Sequence, residues 1–358
     1  MEKINIIDCP LEDVKRHLGG YGSIFIIHDR NVGGIVERLG IEAKGTFPIE
    51  ATEERKTLVT LLDIEEWLLE KGADREAFVL GIGGGITTDL VGFAASVYKR
   101  GVKFGFVPTT LLSQVDAAIG GKNGVNLDSY KNIIGVIRQP EMTFICPEPL
   151  ETLPYQQILS GAAELLKTFI INNKGNEYER AVNMLVNIHE RASGGSAEAA
   201  VREYSETLRE LIAAAAKVKA GIAGRDPNER GERRLLNLGH TFAHAIEKNS
   251  RESVSHGQAV SMGIILAARL AESLGLTEGL SERLEADFTV CGLPVKSPYS
   301  IETLADAMKK DKKADGEFVH FVLPLGIGRV ETRELRVEDA VEALTRKFCS
   351  PFTENVPY

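Results

Sequence analysis

The hydrophobic pattern divides the chain into two kinds of segment. Over roughly the first 145 residues, short apolar runs alternate with longer helical patterns. SIFIIHD (23–29), AFVLGI (77–82) and KFGFVP (103–108) are continuous apolar runs followed by turn residues, as in buried strands. Between the first two, ERKTLVTLLDIEEWLLEKG (54–72) has helical spacing and stops at Gly72. Such alternation predicts a parallel α/β sheet. Pro140, Pro147, Pro149 and Pro154 then cluster, which suggests a junction between residues 1–147 and 148–358. Beyond it the pattern predicts helices over 156–173, 197–223, 237–249, 257–274 and 279–291. GRDPNERGE (224–232) reads as a loop, and FVHFVLP (318–324) as one late strand.

Composition narrows the classes of function. The 358 residues are 43% hydrophobic and 26% charged, values of a globular protein too long for one ordinary core. The net charge of −9 speaks against general nucleic-acid binding, which needs an excess of cations for phosphates. It leaves room for a small anionic ligand at a local basic cluster. No apolar stretch of about 18 residues is present, so no membrane span is expected. MEKINIIDCPLEDV lacks the basic segment and apolar core of a secretory leader. Cys9, Cys146, Cys291 and Cys349 lie far apart without a CxxC pair, as reduced thiols of a cytoplasmic protein would.

Several stretches carry chemistry. GIGGGITTD (81–89) follows a strand and opens a helix, so Gly83, Gly84 and Gly85 can bring backbone N–H groups to a pyrophosphate, or simply form a tight turn. Asp29 and Asn31 end an earlier strand, where they can meet a ribose or close a turn. VPTTLLSQVDAAIGGKNGVN (107–126) starts a helix at Pro-Thr-Thr, places Asp116 in it, and follows with Gly120, Gly121 and Lys122. Lys131 and Asn132 come soon after, and this density of polar groups favours a site over surface decoration. In GAAELLK (161–167), Glu164 and Lys167 share a helix face among apolar neighbours, where a carboxylate and an ammonium need partners. His240 and His244 are one helical turn apart, and His256 follows. HxxxH with a distant carboxylate suits a divalent ion, although Thr241 stands where a zinc protease has its glutamate. Spacing alone leaves open which histidines would bind.

In order, these segments resemble the 3-dehydroquinate synthase family, sugar-phosphate cyclases of the shikimate pathway. The likeness runs from about residue 29 to 328 through GGGxxxD, RGxxxxxVPTTLL, VDxxxGGKxGVN, KNxxG, TLP, GxAExxK, KAxxxxxD, RxxLNxGHTFxHAIE, HGxAVxxG, DKK and FVLPxxIG. Many motifs in one order are specific where each alone is not. The resemblance implies an α/β enzyme with a Rossmann-like, parallel-sheet NAD-binding domain and a mainly α-helical metal- and substrate-binding domain. It implies a cytoplasmic homodimer that binds NAD, a divalent metal (zinc, or cobalt in its place) and a small anionic sugar phosphate. That substrate would be 3-deoxy-D-arabino-heptulosonate 7-phosphate, converted to 3-dehydroquinate and phosphate through transient oxidation, phosphate elimination, re-reduction and aldol closure.

By motif, the resemblance assigns the metal to Glu164, His240 and His256. It assigns NAD to Asp29, Asn31, Glu53, Lys56, Gly84, Gly85, Asp89, Thr109, Thr110, Lys122, Lys131 and Thr152. The substrate pocket would comprise Asp116, Lys122, Lys131, Asn132, Lys167, Lys219, Arg233, Asn237, His244 and Lys312 or Lys313. Arg100 would reach a neighbouring subunit's phosphate site. Thr88, Ala117, Asn123, Gln156 and Ala243 depart from residues common in the family, and Gln156 replaces a frequent arginine. Two rival enzymes fit less well: another sugar-phosphate cyclase, against which Lys219, Arg233 and Asn237 argue, and a metal-dependent NAD(P) polyol or alcohol dehydrogenase, which usually places aspartate where Glu164 stands. A non-enzymatic paralogue would not retain every ligand and cation.

Overall fold

The structure is a computed structural model that describes residues 4–128, 130–250, 253–311 and 318–348. Its strands are β1 (Ile6–Asp8), β2 (Ile24–Asp29), β3 (Gly45–Ile49), β4 (Phe78–Gly83), β5 (Lys103–Pro108), β6 (Lys122–Leu127), β7 (Tyr130–Ile137), β8 (Met142–Ile145), β9 (Phe318–Gly326) and β10 (Arg329–Arg336). Six form a sheet in the order β1-β8-β5-β4-β2-β3, and all of its pairings are parallel. β6 with β7 and β9 with β10 form separate antiparallel pairs. The three apolar runs read as strands are β2, β4 and β5. The parallel α/β expectation holds.

The sheet is covered on both faces because alternate residues of a strand point to opposite sides. Phe25, Ile27, Val79 and Phe104 pack with Ile64, Trp67 and Leu68 of the helix Leu58–Glu70 and with Leu90, Val91 and Ala94 of the helix Gly85–Val97. On the opposite face, Ile26, Phe78, Leu80 and Ile82 pack with Leu11, Val14 and Leu39. The helix expected over 54–72 is shorter. Glu53–Arg55 forms a 3-10 turn, and Thr57 caps the helix by accepting from Thr60 N at 3.4 Å. Gly72 ends it with φ +71°, a value that glycine adopts without strain.

The chain forms two compact units. One comprises residues 1–165 with 187–233, and the other 166–186 with 234–358. The division falls inside one continuous helix, Tyr155–Ile171, which both units share. The segment expected as one helix over 197–223 is two, Ala197–Glu203 and Ser205–Arg225, and both belong with the sheet. The second unit is mainly helical, and its helices include His240–Ser250, His256–Ser273, Leu280–Val290, Ile301–Asp311 and Val337–Phe348. Among the described residues, no helix is long and apolar enough to cross a membrane. Cys9, Cys146 and Cys291 are buried free thiols; Cys349 lies outside the described residues.

Glu65, on the helix Leu58–Glu70, has a measurable consequence. Its Oε1 is buried without a hydrogen-bond partner among the described residues, and burial lifts its carboxyl to about 7. A folded-state value above the unfolded one adds stability that is full below the unfolded pKa and lost as pH rises through about 7. Ionised Glu65 therefore costs stability above that pH, on the order of 1 kcal/mol after discounting for its half-exposed setting. Glu65→Gln is expected to leave the melting temperature unchanged near pH 4 and to raise it by about 2–4 °C near pH 8, as read by thermal denaturation.

Candidate active site

In a parallel sheet every carboxyl end lies on one edge, and the loops there form the usual nucleotide crevice. Asp29 ends β2, Glu53 and Lys56 follow β3, Gly84 and Gly85 follow β4, Thr109 and Thr110 follow β5, and Thr152 follows β8. Asp29 holds its own turn, accepting from Asn31 N at 2.9 Å and Asn31 Nδ2 at 3.0 Å. Gly84 precedes the helix Gly85–Val97, whose first N–H groups face that edge. A Cβ at Gly84 would lie 3.1 Å from Thr110 Cγ2, and one at Gly85 2.9 Å from Ala117 Cβ. The two glycines thus let the β4 and β5 loops meet. Thr110 Oγ1 accepts from Ser113 N at 3.1 Å, the expected helix start.

Beside this turn lies a polar network. Lys56, 4% exposed, donates to Asp89 Oδ2 at 2.5 Å and to Asn132 Oδ1 at 2.5 Å. Burial raises the Asp89 carboxyl to about 6 against the pull of the Lys56 ammonium. Asn126, absent from the sequence-derived set although it ends the GVN motif, donates to Glu53 Oε2 at 2.9 Å and accepts from Asn132 N at 2.9 Å. The network joins Glu53, Lys56 and Asp89 to Asn132, which the resemblance assigned to substrate.

A second cluster gathers on the same unit. Asp116 lies in a π-helical turn, Ser113–Ala117. Lys219, on the helix Ser205–Arg225, donates to Asp116 Oδ1 and to the Asp116 carbonyl, each at 2.7 Å. Arg233 is 3% exposed and donates to the carbonyls of Gly120 and Pro227, each at 2.9 Å. Desolvation lowers its pKa against the nearby carboxylates of Glu229, Asp116 and Asp226. Its backbone is fixed by Asp226 Oδ2, which accepts from Arg233 N at 3.1 Å. Lys122 pairs with Glu229, another residue the sequence reading did not mark.

Glu164 and Lys167 lie on the shared helix Tyr155–Ile171 and are 0% and 1% exposed. The metal-ligand geometry selects among the histidines: among the described residues, Glu164, His240 and His256 offer one donor atom each, all within 4.8 Å of one another. The His240 ring lies 5.4 Å from the His256 ring and 5.5 Å from the His244 ring, centroid to centroid. His240 Nδ1 lies 3.2 Å from the Leu238 carbonyl, which can only accept, so Nε2 keeps its lone pair for a metal. One carboxylate and two imidazoles suit a divalent ion with an open coordination position. The donor set fits.

The two histidine-bearing helices meet through glycine. Gly239 turns at φ +78° into the helix His240–Ser250, and a Cβ at Gly263 would lie 2.2 Å from the Gly239 carbonyl oxygen. Gly263→Ala must push the helices apart, at about 1–3 kcal/mol or more. The expected outcome is a lower melting temperature and weaker zinc retention, checked by thermal denaturation and elemental analysis.

The remaining expected residues have these places in the chain. Arg100 is exposed, has φ +69° and lines a surface hollow with Asp74, Arg75, Glu76, Val97 and Lys99. Lys131 and Thr152 are exposed, Asn237 ends a 3-10 turn (Glu232–Asn237), and His244 is exposed on the helix His240–Ser250. Lys312 and Lys313 lie outside the described residues.

Comparison with known proteins decides the family. A model of the 3-dehydroquinate synthase N-terminal domain matches residues 46–160, and one of the C-terminal domain matches residues 161–314. The chain belongs to the 3-dehydroquinate synthase family. A 3-dehydroquinate synthase of Pyrococcus abyssi is 41% identical over 313 residues, 87% of each chain. The 2-epi-5-epi-valiolone synthase of Streptomyces hygroscopicus, solved with NAD+ and Zn2+ bound, superposes with a TM-score of 0.80 at 26% identity, over 97% of this chain and 98% of that one. A 2-deoxy-scyllo-inosose synthase complexed with carbaglucose-6-phosphate, NAD+ and Co2+ gives 0.80 at 24% identity, over 95% and 96%, and shares the fold.

Four of the five departures from the 3-dehydroquinate synthase pattern have local accounts. Asn123 donates to the carbonyls of Gly121 and Arg138 at 2.8 and 2.9 Å, and fills the space beside Gly92. Ala117 is small enough to sit against Gly85, and Thr88 donates to the Gly85 carbonyl at 3.0 Å. Ala243 is fully buried near the Gly239–Gly263 crossing. Gln156 is exposed, and nothing in the structure explains the loss of a cation there.

Proposed function

We propose that this chain converts 3-deoxy-D-arabino-heptulosonate 7-phosphate to 3-dehydroquinate and phosphate, using NAD and one divalent metal. The observation that carries the reading is the family match across both halves of the chain, at 41% identity to a 3-dehydroquinate synthase. When bound, the metal supplies a Lewis acid for the substrate's hydroxyls and NAD a temporary hydride acceptor.

The chain's own residues bind, orient and neutralise charge. Glu164, His240 and His256 hold the metal. The residues at the sheet's carboxyl edge, Asp29, Asn31, Glu53, Lys56, Gly84, Gly85, Asp89, Thr109, Thr110 and Thr152, with Lys122 and Lys131, hold NAD. Arg233 has a five-donor fork and uses two nitrogens on backbone carbonyls, leaving N–H groups for the substrate carboxylate. Lys219 and Asn237 face the same group. Lys122, Asn132, Lys167 and Lys312 or Lys313 neutralise the anionic substrate, Asp116 orients Lys219, and His244 meets the substrate one turn beyond His240. Much of the catalysis is positioning and charge stabilisation. Residues 1–147 act as the NAD-binding domain and 148–358 as the metal and substrate domain of a cytoplasmic homodimer, in which Arg100 reaches the partner's phosphate site.

Purified protein is mixed with NAD, zinc and the heptulosonate phosphate. Release of phosphate without net NADH supports this reading. NADH accumulation on a simple polyol, without phosphate release, assigns the chain instead to the metal-dependent dehydrogenases.

A further inference from the structure

On the helix His240–Ser250, Glu247 lies seven residues after His240 and three after His244, so all three share one helical stripe. Its side chain is 15% exposed, and Oε2 lies 3.5 Å from His256 Nδ1. His256 is the first residue of the helix His256–Ser273, whose backbone is fixed by a capping box between Ser255 and Gln258. The capping box fixes where the backbone of His256 starts, and the orientation of its ring is set by side-chain contacts. Glu247 is a carboxylate placed against the ring's Nδ1.

We propose that Glu247 is a positioning residue of the metal centre: its carboxylate accepts from His256 Nδ1–H and turns Nε2 toward the ion. The inference rests on the reading of Glu164, His240 and His256 as metal ligands. The two imidazoles are then oriented differently. His240 Nδ1 faces the neutral Leu238 carbonyl, whereas His256 Nδ1 faces a carboxylate. A carboxylate in that place fixes the tautomer and makes the ligating nitrogen more basic. The helix His240–Ser250 thus supplies one metal ligand directly and orients the second through Glu247.

The test compares the metal-free full-length protein with Glu247→Ala, Glu247→Gln, Glu247→Asp and His256→Ala, reading zinc affinity by competition with a chromophoric chelator. NAD binding and thermal denaturation report whether each variant is folded. Glu247→Ala is expected to bind zinc about 10- to 100-fold more weakly than wild type. Glu247→Asp recovers part of the loss because it restores the charge, and Glu247→Gln falls between because it keeps volume and an acceptor but no charge. Should Glu247→Ala fail to fold, the near-isosteric Gln variant decides by the same measurement. Wild-type affinity in a folded Glu247→Ala or Glu247→Gln, with affinity lost in His256→Ala, overturns the role of Glu247 and leaves the ligand set standing. Undiminished affinity in His256→Ala overturns the ligand set itself, and the proposal with it.

Discussion

His256→Ala is expected to yield protein without bound zinc, whereas His244→Ala retains zinc and loses turnover. Both rings lie about equally far from the His240 ring, yet among the described residues it is His256 that joins Glu164 and His240 as a possible ligand set. Removing one of three protein ligands leaves a carboxylate and a single imidazole, too few to hold a divalent ion against a chelator. His244 is outside that set and exposed, one helical turn from His240. A histidine there that transfers or stabilises a proton contributes about 10²- to 10⁴-fold. Elemental analysis and steady-state turnover on the same two preparations separate the roles. A metal-free His244→Ala would show that the ligand set includes His244.

Lys219→Met is expected to lower kcat/KM by roughly 30- to 4,000-fold, equivalent to about 2–5 kcal/mol for truncating one member of a desolvated charged pair. Lys219 makes two contacts with one residue, the Asp116 carboxylate and the Asp116 carbonyl, so it fixes both the side chain and the π-helical turn. Its side chain is 9% exposed and that of Asp116 22%, so water compensates little for the loss. Lys219→Arg is not expected to rescue activity, because a planar fork cannot reproduce the ammonium's convergent contacts. The double variant Lys219→Met with Asp116→Asn is expected to be less impaired than the two single effects summed. Full additivity would show that the pair does not act as a unit.

Much of this was legible in the sequence wherever burial is uniform. β2, β4 and β5 are buried nearly throughout, and unbroken apolar runs mark such strands. The hairpin β6–β7 escaped the pattern because Tyr130, Lys131, Asn132 and Ile133 are all exposed, without the alternation that marks a half-buried strand. β10, RVETRELR, is a polar strand with one partner, and its hydrogen bonds rather than its apolar content define it. The histidine helix begins at His240 rather than residue 237, because a turn at Gly239 intervenes.

The site was legible as motifs but not as contacts. GxAExxK, GHTFxHAIE and HGxAVxxG marked Glu164, His240 and His256. Their spacing could not separate His244 from His256, since ligation depends on where two helices cross. Glu247 stands within the same HAIE motif, yet its partner His256 lies nine residues on and around a turn. Asn126 likewise belongs to GVN, but its bridge from Glu53 to Asn132 forms only when the hairpin folds back.

The most direct measurement of the proposed activity is product stoichiometry with NAD at catalytic concentration. The protein, loaded with zinc, is given 3-deoxy-D-arabino-heptulosonate 7-phosphate, and phosphate, 3-dehydroquinate and NADH are followed together. The account predicts phosphate and dehydroquinate in equal amounts, many turnovers per NAD, no net NADH, and loss of activity with a chelator that zinc reverses. Phosphate release without dehydroquinate, or NADH rising with turnover, would contradict it.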